Sequence, residues 1–204
     1  MTINIKMLLD KYNIKLKGII HIGAHYGQEY VLYKYLDTKN LMFFEPLSKN
    51  FKILKERVGD GVQCYNLALG NKTCDIEMYV EHTNQSQSSS ILKPKHHLIQ
   101  YPNIQFNDRE TVKMCKLDDI KFNKSDYNVI IIDVQGYELE VLKGSSDFLK
   151  NVDLIISEIN IEEMYENCVL VDDLCDFLSA HKFEMIDNHC PYVTWGDGIF
   201  IKKS

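Results

Sequence analysis

No two of the six cysteines, Cys64, Cys74, Cys115, Cys168, Cys175 and Cys190, are spaced Cys-x-x-Cys, and no stretch has the metalloprotease pattern His-Glu-x-x-His. That excludes the common structural zinc frames and leaves the cysteines as small apolar residues of a reducing compartment. No apolar run approaches the length of about 20 residues that crosses a bilayer. The opening stretch MTINIKMLLDKYNIKLKG lacks the apolar core and small-residue cleavage site of a secretory leader. A soluble, cytoplasmic protein is expected, with no membrane partner. A basic excess is also lacking: the net charge is −6, which disfavours a nucleic-acid partner. Glycine and proline are scarce, at ten and four of 204 residues. With no repeat, low-complexity tail or linker, the chain reads as one domain over residues 1–204.

The charge is uneven. Residues 1–60 carry ten Lys/Arg against six Asp/Glu, and residues 126–180 carry two against thirteen. Most of this reads as solvated surface, and part could lie near a cationic ligand.

Helical spacing marks residues 3–12 through Ile5, Leu8, Leu9 and Tyr12. A buried strand over 18–22 runs into a glycine turn, and QEYVLYKYL reads as a helix. LMFFE is a second strand, stopped by Pro46, and SKNFKILKERVG a helix capped by Ser48 and closed by Gly59. VQCYNLALG is a third strand; CDIEMYV and TVKMCKL alternate as antiparallel strands. The polar segment of about 81–110 between them is long for a plain connection and reads as a lid or substrate-contact insertion. YNVIIIDV is the most apolar strand, and YELEVLKG a short helix with Gly144 at its C-terminus. VDLIISEIN, a helix over VDDLCDFLSAHKF, and strands near 183–187 and in GDGIFIKK complete the chain. Strand–helix alternation implies an α/β fold, a mostly parallel sheet with helices on both faces.

GIIHIGAHYGQ carries the first functional signal. A dinucleotide turn, G-x-G-x-x-G, needs a middle glycine for close approach of the diphosphate. Here that position is His25 and the third is Gln28, so the turn Gly23–Gly27 suits a ligand without phosphates. S-adenosylmethionine fits: its carboxylate needs only backbone N–H groups, and its ribose diol needs an acid at the next strand end. Glu45, 22 positions after Gly23 and followed by Pro46, is that acid. Ala68 and Leu69 end the third strand and suit an adenine face. Asp133, with Val134 and Gln135, leaves the core directly after three isoleucines, where such sheets place their cleft.

Together HIGAHYGQ, FFEP, NLALGNKTCDIEMYV, KMCKLDDI, IIIDVQGYELEVLKG and VDLIISEIN resemble the FkbM family of S-adenosylmethionine-dependent O-methyltransferases. The resemblance implies a Rossmann-like class I methyltransferase fold with a seven-stranded sheet and an antiparallel last strand. It implies methyl transfer to a hydroxyl, often of a sugar, glycan or glycosylated small molecule. It assigns cofactor contacts to His21, Gly23, Ala24, His25, Gly27, Gln28, Glu45, Pro46, Ala68, Leu69, Asp133, Val134 and Gln135. His21 and His25 depart from the family's usual DIGAN-G motif, which has an acid and an asparagine there.

The chemistry needs a proton acceptor for the hydroxyl. Asp133 is the first candidate, or else an electrostatic partner of the cofactor. Glu158 and Asn160, at i and i+2, point the same way and could hold the acceptor, or with Asp133 a divalent ion; the ion is the less favoured reading. Glu138 reads as a helix N-terminal stabiliser. His25 is an outside candidate for the base. His82, His96, His97 and the serines Ser86, Ser88, Ser89 and Ser90 lie where a lid could meet substrate. Two other functions stay open: a nicotinamide-dependent oxidoreductase, and an inactive binding module of the same fold.

Overall fold

A computed structural model describes residues 3–36, 38 and 40–203. Seven strands form the main sheet: β1 (Gly18–Ile22), β2 (Asn40–Phe44), β3 (Gln63–Tyr65), β7 (Val129–Ile132), β8 (Leu154–Asn160), β9 (Phe183–His189) and β10 (Trp195–Lys202). Their order is β3-β2-β1-β7-β8-β10-β9, with β10 antiparallel to both neighbours. A second sheet takes β4 (Ala68–Leu69), β6 (Asp108–Cys115) and β5 (Cys74–Val80) in that order; its antiparallel β5–β6 pair is the one expected from the alternation, and its separation from the main sheet is new.

The two-residue period of the central strands builds two cores. Ile20, Ile22, Met42, Phe44, Ile130 and Ile132 face one side, packed against α5 (Glu138–Lys143) and α6 (Val171–Ala180) through Val141, Leu142, Leu174 and Leu178. Ile19, Phe43, Ile131 and Ile156 face the other, under α1 (Ile5–Lys11), α2 (Tyr30–Tyr33) and α3 (Ser48–Val58). A continuous apolar run such as VIII is therefore a strand buried on both faces.

Several local expectations change. The α2 helix has only four residues: Tyr33 is its one buried side chain, Val31 and Leu32 face solvent, and so does Tyr35 beyond its end. The third strand splits. The Asn66 side chain donates to the carbonyls of Glu45 and Pro46 (2.9 and 2.8 Å), and beyond it Ala68 and Leu69 pair with β6. Ser48 is the first helical residue of α3, not its cap. Its hydroxyl and amide both donate to Glu110 across the interface between sheet and helix (2.6 and 2.8 Å). Gly144 has ordinary right-handed torsions (φ −76°); a Cβ there would lie 1.9 Å from the Gly70 carbonyl oxygen, so close packing requires the glycine.

The segment over 81–110 is folded down. A bridge joins Tyr79 and Ser90, another joins Pro94 and Tyr165, and α4 (His96–Gln100) rests on the loop after β8. No helix among the described residues is long and apolar enough to cross a membrane.

Candidate active site

Strand order turns back between β1 and β7, and the carboxyl ends of the parallel strands open there into a cavity of about 680 Å³. Register brings five residues into one row across that edge. Ile22 pairs with Phe44 and with Ile132, and Ile132 with Ser157. One residue further along, Gly23 therefore sits between Glu45 and Asp133, and Glu158 lies beyond Asp133. Asp197 faces Glu158 from the antiparallel β10. Four of the five are acids, all lining the cavity.

The glycine turn is tightly built. Gly23 adopts φ +79°, and a Cβ there would lie 1.8 Å from the Asp133 carbonyl oxygen. Gly27 adopts φ +68°, with Leu54 of α3 lying 2.5 Å from where a Cβ would stand, and it is not among the residues that line the cavity. The backbone donors are mostly committed, against expectation. Gly23 and Ala24 donate to the Phe44 carbonyl (3.0 and 2.9 Å), and His25 donates to Glu45 (2.9 Å). Among the described residues, the amides of Tyr26 and Gln28 are the donors of this turn left over for an anionic ligand group.

Glu45 also accepts from the Leu47 amide (2.9 Å) and the Asn50 side chain (3.4 Å). Burial pushes its carboxyl up to about 7, against these hydrogen bonds. The Asn50 Oδ1 beside it is buried without a partner in the cavity wall. Ala68 and Leu69 line the same end.

His25 lies in the left-handed region (φ +49°), where histidine is tolerated better than most side chains. Its ring stacks on Tyr26, and both nitrogens are engaged: Nε2 donates to the Gln85 carbonyl (2.7 Å), and Nδ1 accepts from Gln28 (2.8 Å). This latches the turn to the covering segment and leaves no free nitrogen to act as a base. His21 is buried against Phe43, with its Nδ1 hydrogen-bonded to the Tyr33 hydroxyl (3.0 Å). Burial lowers its pKa, so it is neutral where the FkbM motif has an acid.

The middle of the row is clamped by Gln135, itself at φ +57°. Its amide donates to Asp133 (2.8 Å) and to Glu158 (2.6 Å), while its carbonyl accepts from Tyr165 (2.8 Å). Burial first, then the Asp133 charge, raise the Glu158 carboxyl well above the usual range. Burial likewise lifts Asp197 to about 6 and Glu138 to about 7. Glu138 accepts from the Val134 and Gly136 amides of the loop before α5 (3.2 and 3.0 Å). No group of three or more His, Cys, Asp or Glu among the described residues is arranged to hold a metal ion.

His82 pairs with Asp108 on the surface (3.3 Å), whereas His97 lines the cavity, with Ser86, Ser88 and Ser89. Asp197 and Asn50 escaped the sequence reading. GDG was taken as an ordinary strand, and only the antiparallel pairing with β8 carries its aspartate to the cleft.

These carboxyls make the unliganded protein pH-sensitive. Glu45, Glu138 and Asp197 each bind a proton more tightly folded than unfolded, so the stability each contributes is complete near pH 4 and is lost as pH rises through about 6 to 7. His21 and His97, with lowered values, work oppositely below their ordinary 6.5. The melting temperature is therefore expected to fall most clearly between pH 6.5 and 7.5, where only the carboxyls act. Scanning calorimetry across pH 5–8 checks this; a flat or rising profile contradicts it.

The methyltransferase FkbM domain matches residues 21–185. The chain is 26% identical over 178 residues to the 2-O-methyltransferase NoeI of Sinorhizobium fredii (strain NBRC 101917 / NGR234), covering 82% of this chain and 72% of that protein. Among solved structures it resembles the magnesium protoporphyrin IX methyltransferase of Synechocystis PCC 6803 with bound SAM (TM-score 0.56, 8% identity, 98% of this chain and 76% of that one). It also resembles the 1,6-didemethyltoxoflavin-N1-methyltransferase of Burkholderia thailandensis (TM-score 0.52, 8% identity, 98% and 76%). At these identities the structures speak for the fold alone.

Proposed function

The chain belongs to the FkbM methyltransferase family and uses S-adenosylmethionine, and from that premise we propose that it methylates a hydroxyl of a sugar or glycan. The observation that carries this is the row Glu45–Gly23–Asp133–Glu158–Asp197 along one cavity edge. Strands in a sheet lie about 4.8 Å apart, so Glu45 and Asp133 are separated by two steps, roughly 10 Å. That span suits a ribose at one end and a reacting methyl group near the other. The similarity to a 2-O-methyltransferase supports oxygen as the acceptor atom.

In this reading Glu45 holds the ribose diol, with Asn50 Oδ1 as a further acceptor. Ala68 and Leu69 flank the adenine. The Gln28 amide meets the carboxylate. His21 is neutral, so the ammonium group falls to the acids near it, Glu29 and Asp133. The cofactor supplies an electrophilic methyl group, and the protein aligns the hydroxyl and excludes water. The hydroxyl oxygen bonds to the methyl carbon as the carbon–sulfur bond breaks, and Asp133 takes the proton. Glu158 keeps its own proton, held by burial. The ordered segment over 81–110 covers the acceptor and acts as a lid. Six free thiols fit a reducing, cytoplasmic setting.

Incubation with S-adenosylmethionine and neutral glycans should add one methyl group, read by mass spectrometry. S-adenosylhomocysteine at about 100 times its dissociation constant should stabilise by roughly 2.7 kcal/mol. Stabilisation by NAD instead would favour the oxidoreductase reading; binding without transfer to any acceptor would favour the inactive module.

A further inference from the structure

The half of the cavity beyond Asp133 has its own construction. The cofactor positions lie at the ends of β1, β2, β4 and β7, and Asn160 at the end of β8 and Trp195 at the start of β10 stand outside them. There Asn160, 1% exposed, has neither its Nδ2 nor its Oδ1 hydrogen-bonded, and His97, 4% exposed, has an unpartnered Nδ1. Both line the cavity. Burying polar groups without partners is costly, and a site that leaves three such atoms open is made for a polar ligand.

The two lie on one wall. Asn160 pairs in register with Trp195, whose indole donates to the Tyr101 hydroxyl (3.0 Å). Tyr101 in turn packs on the His97 ring (centroids 5.0 Å apart). Tyr192 stacks against Trp195 (4.6 Å, 18°) at the cavity mouth. Flat aromatic faces beside fixed amide and imidazole groups match a pyranose ring, which has apolar C–H faces and equatorial hydroxyls.

We propose that Asn160, His97 and Trp195 form the acceptor subsite and select an uncharged sugar, whose hydroxyls next to the methylated one bond Asn160 and His97. This rests on the sugar reading above and deepens it. Asn160 can both donate and accept. His97, held near 4 by burial, is neutral throughout the working range and offers a lone pair or an N–H, not a charge. Asp133 and Asp197 stand along the adjoining edge, and no lysine or arginine lines the cavity among the described residues. A carboxylate or phosphate on the sugar would face these acids without a permanent cation to pair with, so uronic acids and sugar phosphates are rejected.

The test uses the intact protein, S-adenosylmethionine and a panel of nitrophenyl glycosides, neutral and uronic. For the best neutral glycoside, Asn160→Ser and Trp195→Ala should raise KM about 10-fold each, the loss of one good polar or stacking contact. Trp195→Phe should restore most of the KM, and S-adenosylhomocysteine affinity by calorimetry should stay within about two-fold, showing folded variants with an intact cofactor half. Uronides should have kcat/KM at least about 100-fold lower. Unchanged KM in both variants, or uronides used as well as neutral glycosides, overturns the subsite while leaving sugar methylation standing. If no glycoside is methylated although the cofactor binds, the sugar reading itself falls, and the subsite with it.

Discussion

Asp133→Asn is expected to lower turnover by about 100-fold or more at saturating cofactor, with a much smaller change in cofactor affinity. The substitution keeps the shape, and the Asn oxygen can still accept from Gln135, which now donates to Asp133 at 2.8 Å. What it removes is the ability to take a proton. Glu158→Gln should behave differently. Burial and the neighbouring Asp133 charge keep Glu158 protonated, so a permanently neutral amide there imitates its working state and should cost less than about 10-fold. Single-turnover methyl transfer gives the rates and calorimetry the affinities. If Asp133→Asn loses affinity but keeps its rate, Asp133 is a cofactor ligand and the base must be sought elsewhere. His25 is then a poor substitute, because Gln85 and Gln28 occupy both its ring nitrogens.

Gly23→Ala is expected to damage both stability and cofactor binding. The added carbon would lie 1.8 Å from the Asp133 carbonyl oxygen, a backbone atom, at φ +79°. Left-handed strain contributes about 1–3 kcal/mol and overpacking a similar amount. A loss of about 3 kcal/mol lowers the melting temperature by roughly 6–12 °C for a chain of this size. Moving that carbonyl also shifts the strand end that carries Asp133, so S-adenosylhomocysteine affinity should fall with stability. Gly61→Ala, with nothing within 4 Å of the added carbon, is the matched control. A Gly23→Ala protein with unaltered melting and affinity would show that the β1–β7 contact does not organise the site.

Much of this site was legible in the residues themselves. An acid directly after III must leave a strand buried on both faces, and Asp133 does so at the sheet edge. A turn with His25 in place of the middle glycine is poorly made for a diphosphate. The alternation in CDIEMYV gave β5 and its antiparallel partner. Where periodicity failed, long-range contacts had decided. VQCYNLALG reads as one strand, but the Asn66 side chain bonds two carbonyls of the neighbouring β2 loop and the chain changes sheet. Gly144 does close α5 as its C-cap, but what requires a glycine there is the Gly70 backbone across the interface, not a left-handed torsion.

The sequence by itself determined an α/β sheet, the Gly23 turn, the two acids Glu45 and Asp133, and a cofactor without phosphates. Those follow from local sterics and from the two-residue period of a strand, which need no knowledge of partners. Only the tertiary structure decided that Glu158 and Asp197 face each other, that Gln135 bridges Asp133 and Glu158, and that the Gly23–His25 amides are already spent. Each of these depends on register between strands far apart in the chain, and on burial, which turns an ordinary carboxyl into one that keeps its proton near neutrality. Neither quantity is written in the order of the residues.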